Sequence, residues 1–153
     1  MKRFLPFILS IIVVFGLVGC KNSVGSEMAP LDDYAYSITL NKQIVVVSNQ
    51  AVSQMGNATK ITNATKDNCI SSAKASSQIV FEAIQEVKTM PAPAEYEHNK
   101  QNAIRIMELT KEHIDLFVSR MEADDETADY SDIVDLLQSD FTTLTAEFSN
   151  YYK

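Results

Sequence analysis

Tryptophan is absent from this chain of 153 residues, and glycine and proline occur only four times each. So few turn-formers argue against a β-sandwich, which needs a turn every few residues, and favour long helices. Cysteine occurs twice, as Cys20 and Cys69, so one disulfide at most can form and the fold must rest on its core. Histidine also occurs twice, at His98 and His113. Fifteen residues apart on one helical stretch, they would lie about 22 Å apart along the axis and could not share a metal within one chain; a solvent-facing or boundary position is expected for each.

The motifs of common chemistries are missing too. There is no Cys-x-x-Cys-His for haem attachment, no EF-hand spacing, no Gly-x-Ser-x-Gly elbow, no Ser-x-x-Lys and no glycine-rich phosphate loop. Glu95-x-x-His98 occurs once, whereas a di-iron bundle needs that pattern on two helices. The acids Asp124, Asp125, Glu126, Asp129, Asp132 and Asp135 read as a solvated turn and an acid-rich helix start rather than a calcium loop. Cys69, near the start of a helix, reads as a buried, inert thiol. No cofactor, no metal and no enzymatic activity are expected.

What the chain has is an unusual N-terminus. Met1-Lys2-Arg3 is basic, and Phe4 to Val18 follows without a charge, interrupted by Pro6, Ser10 and Gly16. That run suits a signal peptide and is short of the roughly 20 apolar residues of a spanning helix. It ends in Leu17-Val18-Gly19-Cys20, which resembles the bacterial lipobox. The resemblance implies that a diacylglycerol is attached to Cys20 and that cleavage falls between Gly19 and Cys20. Residues 1–19 would then be a lipoprotein signal peptide. Residues 20–33 would be the lipidated Cys20 and a flexible tether with a span on the order of 20 Å. Residues 34–153 would be the folded domain.

Charge is uneven along that domain. The chain carries 13 basic and 20 acidic residues, a net charge of −7; losing Lys2 and Arg3 with the signal peptide leaves −9. From Glu108 onward only Lys111, Arg120 and Lys153 oppose twelve acids, so the distal half holds this whole excess. Nucleic acid and anionic headgroups repel such a surface.

Four segments keep a helical period. The first, Tyr34–Met55, places Tyr36, Leu40, Ile44, Val47, Ala51 and Met55 on one stripe, with Ile38, Val45 and Val52 widening it, and Gly56-Asn57 reads as its C-terminal cap. The repeat Asn57-Ala58-Thr59-Lys60 and Asn63-Ala64-Thr65-Lys66 reads as a polar loop rather than as glycosylation sites. The second helix, Thr65–Thr89, has Ala73, Ser77, Val80, Ile84 and Val87. Pro91-Ala92-Pro93 breaks the chain. The third, Ala94–Met121, has Tyr96, Ala103, Met107, Thr110, Ile114, Phe117 and Met121. The fourth, Asp129–Tyr152, has Tyr130, Val134, Leu137, Phe141, Leu144, Phe148 and Tyr151. Short breaks between long helices predict an all-α, up-down-up-down antiparallel four-helix bundle. An elongated three-helix or coiled-coil assembly is the alternative.

The arrangement resembles a loose group of small helical lipoproteins of low-GC Gram-positive bacteria and their prophages. Its carriers are the lipobox, the Pro91-Ala92-Pro93 break and the aromatic-ended last helix Tyr130–Tyr152. The resemblance implies location and fold, with no site residues. The expected function is that of a membrane-anchored lipoprotein on the extracytoplasmic face. It would be non-catalytic and would bind an envelope protein, as exclusion or immunity lipoproteins do. Asp125, Asp129, Asp132 and Asp135 are its candidate recognition surface. The alternative is a small-ligand or metal-binding helical-bundle module.

Overall fold

The computed structural model describes residues 32–123 and 129–150, with side chains as far as 148. These residues form α1 (Asp33–Ala58), α2 (Lys66–Thr89), a 3₁₀ turn at Ala94–Tyr96, α3 (Glu97–Ala123) and α4 (Ser131–Asn150). They build the expected four-helix bundle. Each helix packs on its neighbours in the ring α1–α2–α3–α4, and α1 also meets α3 across the centre while α2 and α4 stay apart.

Paired side chains show the antiparallel order. Gln43 faces Glu86 while Asn57 faces Ser72 across α1 and α2. Lys88 faces Glu108 while Lys74 faces Glu122 across α2 and α3. Asn102 faces Glu147 while Arg120 faces Asp132 across α3 and α4. The start of α1 therefore shares one end of the bundle with the end of α2, the 3₁₀ turn and the end of α4. The start of α4 lies at the opposite end, beside the end of α3 and the connection between α1 and α2. No described helix is long and apolar enough to cross a membrane.

Local chemistry sets the helix bounds. Asp32 caps α1 by accepting from the Ala35 amide at 2.8 Å, satisfying a donor that has no partner within the helix. The helix then continues past Gly56, which was expected to stop it. Its end is at Ala58, where the Thr59 amide bonds back to the Met55 carbonyl at 3.1 Å and Thr59 Oγ1 donates to the Gly56 carbonyl at 3.0 Å. At the other end of the bundle Met90 turns extended before Pro91, closing α2. Lys100, buried on α3, reaches the freed carbonyls there: Nζ donates to Met90 O at 2.8 Å and Lys88 O at 3.2 Å. A cation is favoured at a helix C-terminus, where unpaired carbonyls concentrate negative charge.

The core runs the length of the bundle. Tyr36, Leu40, Ile44, Val47 and Ala51 come from α1, with Ala73, Val80, Ile84 and Val87 from α2 and Ala103, Met107, Ile114, Phe117 and Met121 from α3. These are the expected stripes. Met55 and Tyr96 are only partly buried and pack at its margin. Two other expectations fail. Ile38, Val45 and Val52, taken as part of the α1 stripe, are 44–45% exposed on its outer face. On α4 the buried line is Tyr130, Ile133, Leu137, Asp140 and Leu144, while Val134, Phe141 and Phe148 lie at the edge. That line is rotated by about 30–40° from the expected one. Tyr151 falls outside the described residues.

Polar groups occupy the α1–α2 seam near the distal end. Buried Gln54 donates to Ser76 Oγ at 2.7 Å, Ser76 Oγ donates to Gln50 Oε1 at 2.8 Å, and Asn57 Nδ2 donates to Gln54 Oε1 at 2.9 Å. The small serines of α2 bring the helices close enough for this ladder, and each bond compensates the desolvation of its partners.

Candidate functional site

Cys20 and Asp125 lie outside the described residues. Asp129, Asp132 and Asp135 are all exposed at the start of α4, at the end of the bundle opposite the start of α1. Their roles differ. Asp129 caps the helix locally, with Oδ1 accepting from the Ser131 amide at 2.9 Å and Oδ2 from Ser131 Oγ at 3.1 Å. Asp132 pairs with Arg120 of α3 at 2.5 Å. That guanidinium's hydrogen bond, with its charge, holds the Asp132 carboxyl below its usual range. Asp135 forms no ion pair with any described residue. Of the three described candidates, Asp135 is thus the carboxylate left open to a partner from outside the chain.

Ion pairing neutralises the neighbouring seam. Lys74 and Lys88 of α2 reach Glu122 and Glu108 of α3, and Lys111 pairs with Asp115 one turn on. Lys74, Glu122, Lys111 and Asp115 line much of a shallow groove of about 550 Å³ between α2 and α3, with Ser77 donating to Asp115 at 2.5 Å and Phe81 on its wall. A smaller groove of about 210 Å³ between α1 and α4 is apolar, walled by Ile44, Val45, Phe141 and Phe148. A third depression, between α1 and α2, is lined by Asn57, Lys60, Asn68, Cys69 and Ser72. Cys69 is buried there, as expected.

The two histidines part company. His98 is exposed, whereas His113 is half-buried at the α3–α4 boundary and its Nδ1 lies 2.7 Å from Asp140 Oδ2. Burial pushes the Asp140 carboxyl up from its ordinary value, and hydrogen bonds from His113 and Thr110 partly offset this. Asp140 was missed because an acid on a helical stripe reads as a surface residue. A signal was present: it sits three residues after Leu137 and four before Leu144, at helical spacing from both. Asn57, in the first Asn-Ala-Thr copy, is engaged by Gln54 and Ser72. No group of three or more metal-ligating side chains occurs among the described residues.

Tyr36 is another buried ionisable group. Desolvation, with the charge of Glu97 and the neighbouring Tyr96 adding to it, pushes its hydroxyl well above the ordinary tyrosine range, so it stays neutral. Its ring stacks on Tyr96 with centroids 5.4 Å apart. At the far end Phe117 meets Tyr130 edge to face at 5.3 Å. These aromatic contacts fasten both ends of the bundle. Among the described residues, the surface offers an apolar groove between α1 and α4 and, at the start of α4, three exposed carboxylates. Compared with protein-family models, with curated proteins and with solved structures, the chain matches none of them.

Proposed function

We propose that the chain is the precursor of a lipid-anchored envelope lipoprotein whose bundle acts without catalysis, by binding a basic protein partner. The observation that carries this reading is Leu17-Val18-Gly19-Cys20 placed directly after a basic start and a charge-free run. Acyl chains on Cys20 replace the lost apolar segment as anchor, each buried methylene contributing about 0.8 kcal/mol. The bundle axis supports the rest of the reading. Its first helix begins at one end, and the exposed acids of α4 stand at the other. A rod tethered by its N-terminus then carries its acidic end away from the headgroups, where it steers a cationic surface toward itself.

The test has two arms. The precursor is expressed in a bacterium with the lipoprotein pathway, and mass spectrometry should find Cys20 acylated and residues 1–19 removed; an unmodified Cys20 in the mature protein refutes the anchor. The recognition arm uses Asp125→Lys with Asp135→Lys, because Asp129 and Asp132 hold internal bonds whose loss would confuse binding with folding. Envelope partners captured at low salt should be lost from this variant. If all are retained, the acidic end serves only to keep the domain soluble.

A further inference from the structure

We infer that the outer face of α1 is a self-association surface, on which a second copy of this chain packs antiparallel about a twofold axis at Val45. The surface consists of Tyr34, Ile38, Val45, Val52 and Gly56, and it is independent of whether Cys20 carries lipid. Tyr34, Ile38, Val45 and Val52 account for four of the seven exposed large hydrophobic side chains among the described residues. With Gly56 they fall within about 40° of a single line along the helix.

The pattern is palindromic. The spacings from Tyr34 to Gly56 are four, seven, seven and four residues. An antiparallel helix pair related by a twofold axis needs this symmetry, since residue i must meet residue j as j meets i. Centred on Val45, the register sets Val45 on its own copy and Ile38 on Val52. It sets Tyr34, the most exposed apolar side chain at 75%, on Gly56. Nothing lies within 4 Å of where a Gly56 Cβ would stand, so a large ring meets an open backbone.

Charge favours the same partner and the same direction. The only charged residues in α1 are Asp33 and Lys42. In this register they face Asn57 and Ser48, so no like charges are opposed. The exposed sides of α2 and α3 each carry several more charges than this. The antiparallel direction also places the acidic start of α4 in one copy beside the opposite end of the other, where a parallel pair would bring both acidic ends together. The apolar α1–α4 groove, walled by Val45 and Phe141, borders the line and extends it. The line is about 33 Å long. At about 10 Å width it offers well under the ~800 Å² per partner of a standard interface, which places the dimer in the weak class.

Cysteine cross-linking of the full-length chain in detergent, in a Cys20→Ser, Cys69→Ser background, tests the register. Ile38 and Val52 are about 21 Å apart along the helix, and a disulfide needs Cα atoms within roughly 7 Å. Mixing Ile38→Cys chains with Val52→Cys chains should therefore give a cross-linked dimer, as should Val45→Cys alone, while Ile38→Cys alone should give none above background. Val45→Glu should weaken self-association at least tenfold by sedimentation while leaving the helical circular dichroism unchanged, since the side chain is exposed. Self-linking of Ile38→Cys, which means a parallel pair, overturns the inference. So does a dimer that survives Val45→Glu. A wild-type chain still monomeric at about 1 mM overturns it too, and if that chain binds phosphatidylglycerol vesicles through Val45, the face is a lipid contact instead.

Discussion

His113 Nδ1 and Asp140 Oδ2 meet at 2.7 Å across α3 and α4, with the carboxylate side of the pair only 8% exposed. Because burial raises the Asp140 carboxyl above its unfolded value of about 3.9, the folded state holds this proton more tightly than the unfolded state. The contribution of Asp140 to stability is thus greatest at low pH. It falls as pH rises from the unfolded value through the folded one, then stays level. Asp140→Asn keeps the shape and cannot ionise. Relative to wild type, the variant should gain stability progressively as pH rises from about 3.5 to 7. Urea midpoints across that range measure the difference, and a difference that does not grow with pH contradicts the burial cost.

The rotation of α4 can be read from two truncations. Leu137 is fully buried, and Leu137→Ala should cost about 2–5 kcal/mol. Phe141 lies at the edge, on the α1–α4 groove, so Phe141→Ala should cost about 1–2 kcal/mol, less than the 3–5 of a fully buried ring. Denaturant unfolding of both decides the order. A larger loss at Phe141 means that the buried line follows the aromatic stripe after all.

Helix number, direction and breaks were legible because the period of Ala73 to Val87 and of Ala103 to Met121 is unambiguous, and because Pro91 and Pro93 exclude helix between them. The face of α4 was not legible. Apolar periodicity selects Phe141 and Phe148 for their size, but the line that turns inward contains Asp140, whose burial depends on His113 from another helix. Hydrophobic pattern is blind to a polar pair assembled only in the fold. Ile38, Val45 and Val52 were misread for the complementary reason: with α2, α3 and α4 already packed on α1, no further described helix is left to cover its outer side. Asp129, Asp132 and Asp135 were placed at a helix start from sequence. That Arg120 already occupies Asp132 depends on the α3–α4 register.

Gly56 offers a stabilising change. It sits inside α1 rather than at its cap, and an added Cβ meets nothing within 4 Å. Glycine in a helix interior costs about 0.5–1 kcal/mol relative to alanine through its backbone entropy. Gly56→Ala should therefore raise stability by about that amount in dilute protein. Thermal unfolding checks it, and a loss of stability would mean that this turn is not helical.

Lys100 and Lys88 differ in burial, and their replacement by methionine should separate two kinds of charge. Lys100 is 8% exposed and its Nζ supplies hydrogen bonds to the carbonyls of Lys88 and Met90, where α2 ends. Removing a charged donor leaves those carbonyls without a partner beside apolar surface, at a cost of about 1–3 kcal/mol. The methionine chain recovers part of the packing of the lysine stem. Lys88 makes an ion pair with Glu108 at 2.7 Å, with both side chains more than 40% exposed. Pairs of that kind contribute about 0–1 kcal/mol and weaken as salt screens them. Lys100→Met should therefore be the more damaging change, and its cost should persist in 1 M sodium chloride, whereas the small effect of Lys88→Met should vanish there. Urea unfolding of both variants at low and high salt distinguishes the roles. Equal, salt-sensitive losses would show that Lys100 acts as an ordinary surface charge and that the end of α2 is held by the Pro91 break alone.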